Sequence, residues 1–235
     1  MREVDSGERW GDPKARQESR FDQATAASLV RASLAHGVSD PKVIEALRVV
    51  RRRAFVPVEL RREVGHDYAI PIGKGQTTSQ PSLIALMIES LELGPHDRVL
   101  EIGTGCGYQT ALLAALTEKV FSVERIPELT HLARRNLEAE GVLNVELVTG
   151  DGTLGLARSA PFDGIVVAAA FHHVPPPLAE QLAPGRRLVM PVGDGLGDLV
   201  KVFEKQHDEL VEVRVLCGAR FVPLLGENGF SPTGA

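Results

Sequence analysis

Residues 98–108, Arg-Val-Leu-Glu-Ile-Gly-Thr-Gly-Cys-Gly-Tyr, join a short apolar run to three alternate glycines. The apolar run is typical of a buried strand, and the segment that begins at Tyr108 has the apolar spacing of a helix. Glycines between a strand and a helix let a ligand approach the backbone closely. A strand-to-helix turn without a ligand also favours glycine, so this loop alone indicates the fold but does not establish a ligand site.

Apolar strands alternate with helices around this loop, from Pro81 onward. The strand-like runs downstream are KVFSVE (119–124), NVELVT (144–149), FDGIVV (162–167) and GRRLVMPVG (185–193), with helical segments between most of them. Two more runs, 198–205 and 209–218, predict an antiparallel hairpin that turns near His207. Because apolar strands that alternate with helices form parallel sheets covered on both faces, we predict an α/β protein with a doubly wound sheet.

The periodicity also predicts how the chain is divided. Residues 1–20 are polar and aperiodic, which predicts a disordered lead-in, whereas helical spacing begins at Phe21. We expect 21–235 to form one domain, with helices and a substrate loop over 21–80 and a cofactor-binding core with C-terminal strands over 81–235. A chain of 235 residues can bury one large core.

Composition excludes several functional classes. The 26 basic and 31 acidic residues give a net charge of −5, which argues against a nucleic-acid partner. No apolar run approaches the roughly 18 residues of a membrane helix, and the first residues lack an apolar signal core. We therefore expect no membrane association and a cytoplasmic location. The two cysteines, Cys106 and Cys217, exclude a disulfide scaffold and a multi-cysteine zinc site, and no metal is predicted.

Three acidic residues, Glu101, Glu124 and Asp151, lie at the ends of successive predicted strands. The carboxyl ends of parallel strands meet at the sheet edge where ligands bind. An acid placed like Glu124, seventeen residues after Gly107, can accept hydrogen bonds from two ribose hydroxyls. A carboxylate at Glu101 would repel a pyrophosphate, whereas S-adenosylmethionine carries an ammonium and a sulfonium. We therefore expect all three acids to face this cationic cofactor, with a dinucleotide oxidoreductase as an alternative.

Further segments extend the pattern across most of the chain. Seven segments resemble, in this order, the protein-L-isoaspartate O-methyltransferase family. They are PIGKGQTTSQP (71–81), VLEIGTGCGYQTA (99–111), SVERIPEL (122–129), GDG (150–152), APFDGIVV (160–167), LVMPVG (188–193) and RFVPL (220–224). The resemblance covers residues 21–226, and G-x-G-Q-T-x-S-Q-P is its most specific part. It implies a seven-stranded, mostly parallel Rossmann-like methyltransferase sheet with an N-terminal helical extension.

The resemblance also implies an activity. The enzyme would transfer a methyl group from S-adenosyl-L-methionine, leaving S-adenosyl-L-homocysteine. The acceptor would be the α-carboxylate of L-isoaspartyl residues, or the β-carboxylate of D-aspartyl residues, in damaged proteins and peptides. The ester would then initiate repair through a succinimide. A carboxyl with a pKa near 4 is ionised at neutral pH, so this chemistry requires no general base.

The same resemblance implies roles for individual residues. The catalytic residues would be Ser79, Thr77 and Gln76, whose hydroxyl and amide groups can hold a carboxylate. Ser79 has the alternative role of capping the helix that begins at Pro81. The cofactor would be bound by Glu101, Gly103, Thr104, Gly105, Gly107, Tyr108, Glu124, Arg125, Asp151 and Gly152. The substrate would contact Asp67, Ile72, Ala168, Phe221 and Val222, although Asp67 is equally suited to a turn.

One stretch, Ala168-Ala-Ala-Phe-His-His173, departs from the family pattern, in which a threonine precedes small residues. The missing hydroxyl at Ala168 and the bulky Phe171 would change the substrate pocket. This motivates a second hypothesis, a methyltransferase for an ordinary aspartate of a dedicated biosynthetic peptide. A third is a non-catalytic cofactor-binding module, against which the complete glycine loop and Ser79 argue. We expect the protein to be a monomer.

Overall fold

Two helices and a small hairpin precede the central sheet in the computed structural model, which describes residues 13–194, 197–207 and 209–231. They are α1 (Pro13–Ala35), α2 (Pro41–Val49) and the antiparallel strands β1 (Ile70–Gly73) and β2 (Gln76–Thr78). Asp40 caps α2, because its carboxylate accepts a hydrogen bond from the Lys42 N–H at 2.8 Å. The predicted N-terminal helical extension is therefore present.

The predicted disordered lead-in over residues 1–20 is wrong for residues 13–20, which form the first turns of α1. Residues 1–12 lie outside the described part of the chain. The early turns of α1 are held by ion pairs: Arg53 lies 3.4 Å from Glu18 and 2.9 Å from Asp22. Apolar periodicity does not predict such contacts, because both acids lie on a polar helix face and their partner, Arg53, is distant in sequence.

The predicted doubly wound, seven-stranded sheet is confirmed, with the order β5-β4-β3-β6-β7-β8-β9. Its strands are β3 (Arg98–Ile102), β4 (Lys119–Glu124), β5 (Val145–Thr149), β6 (Phe162–Val167), β7 (Leu182–Val192), β8 (Asp198–Gln206) and β9 (Glu209–Ala219). The first five in this order pair in parallel, and β8 and β9 add an antiparallel hairpin. The strand order reverses between β3 and β6, and such a switch point leaves a crevice for a ligand.

In the described part of the chain, four helices cover the sheet: α3 (Pro81–Glu89), α4 (Tyr108–Ala114), α5 (Pro127–Ala139) and α6 (Pro176–Gln181). Alternate side chains of each strand enter separate apolar cores. On β3, Val99 packs with residues of α1 to α5, whereas Leu100 and Ile102 pack with Leu178 of α6. This alternation decides which residues near the strand ends can reach a ligand. No helix in the described ranges is long and apolar enough to cross a membrane.

The chain after β9 returns across the carboxyl edge of the sheet. We call residues 220–230 the return segment. Ala170, which follows β6, donates its N–H to the Val222 carbonyl at 2.9 Å and accepts from the Leu224 N–H at 2.7 Å. These bonds extend the sheet edge by one parallel bridge, between Ala170 and Pro223. The return segment therefore lies beside the crevice at the switch point.

Candidate functional site

A cleft of about 900 Å³ opens at the carboxyl ends of β3, β4 and β6. The glycine loop forms its floor, and β2 and the return segment form two of its walls. The residues predicted to hold cofactor or substrate that line this cleft are Gln76, Thr77, Ser79, Gly103, Thr104, Gly105, Tyr108, Glu124, Arg125, Gly152, Ala168 and Val222. Most of the predicted cofactor residues therefore lie around one space.

The glycine loop passes between the end of β6 and the β1–β2 hairpin. Gly103 and Gly105 have φ of +94° and +58°, in the left-handed region that favours glycine. A Cβ on Gly105 would lie 3.1 Å from Ile72 Cδ1. Gly107 does not line the cleft, because its open side faces α5, where a Cβ would lie 3.3 Å from Leu137 Cγ. Its predicted contact with the cofactor is corrected to close packing between helix and loop.

Glu124, the last residue of β4, directs its carboxylate into the cleft. Its two oxygens accept hydrogen bonds from the backbone N–H groups of Gly105 at 3.0 Å and Ile126 at 2.9 Å. These contacts fix the carboxylate, and each oxygen retains a lone pair for a ligand hydroxyl. Among the described residues it is the one carboxylate that lines the cleft.

Glu101 does not face the cleft, which corrects the prediction made for it. It lies one residue before the end of β3, on the same sheet face as Val99, and is fully buried beneath α4. Its carboxylate accepts hydrogen bonds from Gln109, Thr110 and Ser122, at 3.0, 2.5 and 2.6 Å. Burial raises the pKa of Glu101 to about 7, although these hydrogen bonds favour the charged form.

Ser122 also lies 2.5 Å from the hydroxyl of Thr104, a residue of the glycine loop that lines the cleft. Because the Ser122 proton is donated to Glu101, the Thr104 hydroxyl donates to Ser122. Gln109, which binds the other oxygen of Glu101, lines the cleft as well. Hydrogen bonds therefore connect Glu101 to two side chains that line the cleft, to Gln109 directly and to Thr104 through Ser122.

Asp151 precedes Gly152, which lines the cleft, and its own contact with the cofactor stays a prediction. One carboxylate oxygen of Asp151 accepts from the N–H and the hydroxyl of Thr153, at 2.8 and 2.7 Å. The other accepts from the backbone N–H of Glu227 at 2.7 Å. The carboxylate therefore binds protein donors on both sides, one of them in the return segment.

A second cavity of about 1100 Å³, here called the groove, adjoins the cleft. One wall is the chain from Leu216 to Val222, which includes the predicted substrate residues Phe221 and Val222. Thr77, Ser79, Ala168 and Val222 line both cavities. Thus a group held in the cleft and a group held in the groove would meet beside these four residues.

The hydroxyl of Ser79 has no hydrogen-bond partner among residues 13–194, 197–207 and 209–231, so Ser79 does not cap α3. Asp67 does so instead: its carboxylate accepts from the N–H and hydroxyl of Ser82 at 2.9 and 2.7 Å, and from the amide of Gln80 at 2.8 Å. Asp67 and Ile72 line neither cavity. Their predicted substrate contacts are corrected to a helix cap and to packing on the glycine loop.

The sequence pattern missed several residues. Arg52 is buried and donates to the carbonyls of Val64, His66 and Tyr68, which shapes the loop before β1. Burial lowers the pKa of this guanidinium. Its position within the run Arg51-Arg52-Arg53 gives no indication of such a role. Three more residues line the cleft: Gln109 and Ile126, which lie within motifs noted in the sequence, and Leu225, which directly follows one.

Phe171 lines neither cavity. Its ring packs edge to face on Phe230 at a centroid distance of 4.9 Å, and the exposed His172 lies 4.8 Å from the same ring. The expectation that Phe171 changes the substrate pocket is therefore wrong, because tertiary packing turns the ring towards the return segment. Of the six residues in the departing stretch, Ala168 and Ala169 line the cleft, and Ala168 is the one that also lines the groove.

Comparisons with known proteins agree with this geometry. Residues 24–229 match the family model described as protein-L-isoaspartate(D-aspartate) O-methyltransferase. A protein-L-isoaspartate O-methyltransferase of Methanoculleus marisnigri is 50% identical over 197 residues, covering 83% of this chain and 89% of its own. Protein-L-isoaspartate O-methyltransferase 2 of Marinobacter nauticus is 50% identical over 206 residues, covering 86% and 94%.

Solved structures resemble the fold over most of its length. A protein-L-isoaspartate O-methyltransferase structure superposes with a TM-score of 0.77 at 31% identity, covering 87% of this chain and 67% of its own. A Plasmodium falciparum structure in complex with S-adenosyl-L-homocysteine has a TM-score of 0.73, with 87% and 98% covered, and its 21% identity shows the fold alone. The family match, and the 50% identity to relatives over most of their length, show that the chain belongs to the protein-L-isoaspartate(D-aspartate) O-methyltransferase family.

Proposed function

We propose that this protein transfers a methyl group from S-adenosyl-L-methionine to the α-carboxylate of L-isoaspartyl residues, or the β-carboxylate of D-aspartyl residues, in damaged proteins and peptides. The ester initiates repair through a succinimide. The observation that carries this proposal is the position of Thr77 and Ser79, which line both the cleft and the groove. Relatives that are 50% identical over most of the chain carry the name of this activity, which supports the same substrate here.

The cleft fits the cofactor. The loop at Gly103 and Gly105 presents backbone without side chains, and Glu124 offers a fixed carboxylate to hydroxyls and to positive charge. Ile126 and Leu225 add apolar surface of the kind that a purine needs. When bound, S-adenosyl-L-methionine supplies an electrophilic methyl group on a sulfonium.

The groove fits a substrate that carries a carboxylate. Among the described residues, no Asp or Glu lines it, whereas Arg220 and His36 do. Ser79 and Thr77 present hydroxyls that can donate to an anionic oxygen, and Gln76 can add an amide. Holding an ionised carboxylate in line with its reaction partner lowers a barrier by up to ~7–11 kcal/mol in favourable systems. No residue needs to remove a proton, because the carboxylate is already ionised.

The proposal is tested with three peptides that differ only in having Asp, isoAsp or D-Asp at one position. Methyl transfer to the isoAsp peptide, with weaker transfer to D-Asp and none to Asp, is the expected result. Transfer to Asp alone would instead support a dedicated peptide substrate. Cofactor binding without any transfer would support a binding module. We also expect a monomer, which light scattering would test, and no requirement for a metal, which activity after chelation would test. The expected location is the cytoplasm.

The role of Ser79 is tested by Ser79→Ala, with Ser159→Ala as the matched control. Ser159 is half-buried and lies outside both cavities. We expect Ser79→Ala to lower kcat by about 10²-fold, as for loss of one donor to a reacting oxygen, while the Kd for S-adenosyl-L-homocysteine stays within about twofold. Equal kcat in the two variants would refute the role of Ser79.

A further inference from the structure

Tyr68 is an aromatic residue at the groove that the chemistry described so far does not use. It lines the groove, and its exposed fraction is 44%. Its ring stacks on the ring of His66 at a centroid distance of 5.5 Å and an interplanar angle of 14°, and its hydroxyl donates to the Glu63 carboxylate. The exposed ring is therefore fixed in orientation. An aromatic surface of this kind suits ligand binding, because little side-chain freedom is lost when a ligand packs on it.

The backbone around Tyr68 is fixed by a buried arginine. We call residues 63–69 the tyrosine loop. The Arg52 guanidinium donates to three carbonyls of this loop: those of Val64 at 3.2 Å, His66 at 2.8 Å and Tyr68 at 2.9 Å. Because these acceptors alternate along the chain, the loop is folded around one buried guanidinium. The fixed, planar set of N–H donors that arginine carries is suited to such a role.

A second anchor connects the tyrosine loop to α3. Asp67, which directly precedes Tyr68, accepts from the N–H and the hydroxyl of Ser82 at 2.9 and 2.7 Å. Ser79 lies three residues before Ser82 and lines both the groove and the cleft. The Asp67 contacts therefore hold the Tyr68 ring at a set position relative to the Ser79 hydroxyl.

The surroundings of Tyr68 indicate which side chain would bind there. Leu83, Leu86 and Phe221 also line the groove and provide apolar surface. A pair of aromatic rings gains more than the burial of their area alone. An acidic side chain is disfavoured, because the Glu63 carboxylate already binds the Tyr68 hydroxyl. An aromatic side chain is therefore the best match.

We propose that Tyr68 is a specificity-determining residue, which packs on an aromatic side chain of the peptide near the isoaspartyl residue, and that Arg52 is its positioning residue. The inference rests on the proposed function in taking the groove as the peptide site. Neither residue lines the cleft, so both act on the choice of peptide and not on the cofactor.

The test uses a host peptide with isoAsp at its centre and three alanines on each side. In six further peptides, one of these alanines at a time is replaced by phenylalanine. The measured quantity is the ratio of the KM for the host to the KM for a phenylalanine peptide, here called the phenylalanine preference. We expect a preference of about fivefold at one position or more in the wild type, the scale of one aromatic pair. Lysine or glutamate at that position should give no preference.

Three variants of the full chain separate the role of Tyr68 from general effects. Tyr68→Ala should reduce the phenylalanine preference to about one, whereas Tyr68→Phe should keep it, because the ring remains. Leu143→Ala is the matched control, since Leu143 is 85% exposed and lines neither cavity, and it should keep the wild-type preference. The Kd for S-adenosyl-L-homocysteine should stay within about twofold in all three, because neither position lines the cleft.

Arg52→Lys tests the positioning role. Lysine keeps a positive charge, but its single ammonium cannot match the planar set of donors that holds three carbonyls. We expect this variant to lose the phenylalanine preference although Tyr68 is unchanged. Amide hydrogen exchange without ligand should accelerate over residues 63–69 and stay unchanged in β3 and β4. Global unfolding of Arg52→Lys, or unchanged exchange over 63–69, would overturn the positioning role.

The specificity role would be overturned by a wild-type phenylalanine preference in Tyr68→Ala, by equal KM values of the wild type for all peptides, or by a preference for lysine over phenylalanine. Failure of the proposed function is distinguishable, because the wild-type protein would then methylate none of the isoaspartyl peptides, the alanine host included. A wild type that methylates all of them equally well would instead retain the proposed function and refute the role of Tyr68.

Discussion

Glu101 should make the stability of this protein depend on pH near neutrality. Its carboxyl is completely buried between β3 and α4, and burial raises its pKa from the ordinary 4.5 to about 7. The folded protein therefore holds this proton more tightly than the unfolded chain does. The stability due to protonation is complete below pH 4.5 and is lost as the pH rises to about 7. At about 1.4 kcal/mol for each pH unit, the full loss is about 3 kcal/mol.

Glu101→Gln isolates this contribution, because glutamine has the same shape and does not titrate. Between pH 5 and pH 8, the free energy of unfolding should fall by about 2.5 kcal/mol more in the wild type than in Glu101→Gln. Other titrating groups are common to both proteins and cancel in this comparison. The variant also changes hydrogen bonds with Gln109, Thr110 and Ser122, which shifts its stability at both pH values alike.

Urea unfolding at pH 5 and pH 8, followed by circular dichroism, measures the required differences. Glu138→Gln is the matched control, because Glu138 is exposed on α5. The stability of this variant should follow that of the wild type at both pH values. If the difference in stability between wild type and Glu101→Gln is the same at pH 5 and pH 8, the reasoning from burial is refuted.

Two further predictions concern other buried groups. The hydroxyl of Tyr108 is buried without a hydrogen-bond partner among the described residues, so Tyr108→Phe should leave stability unchanged or raise it by about 1 kcal/mol. A clear loss in thermal unfolding would show that the hydroxyl is satisfied. Asp67→Ala removes the cap of α3 and should cost about 1–2 kcal/mol in urea unfolding, whereas Ser79→Ala should cost less than about 0.5 kcal/mol. Similar costs would contradict the assignment of Asp67 as the cap.

The sequence was sufficient for the features that local patterns determine. Apolar runs set the strands, and the left-handed backbone at Gly103 and Gly105 explains why the loop after β3 needs glycine. The parallel order follows, since apolar strands separated by helices bury both faces. The same motifs indicated the family, and most of the residues predicted to bind the cofactor lie at one sheet edge. These features depend on neighbours within a few residues, or on a topology with few alternatives.

Tertiary structure alone decided where the acidic side chains point and what they bind. Glu101 and Glu124 both lie near strand ends, yet α4 covers the first with donors and leaves the second open to the cleft. Asp67 meets α3, and Asp151 meets a backbone N–H from a residue 76 positions later. A carboxylate binds whatever donor the fold brings within about 3 Å, and hydropathy and spacing carry no information on distant donors. The sequence therefore determined the sheet and its ligand edge, whereas long-range hydrogen bonding decided which acids face a ligand and which hold the protein together.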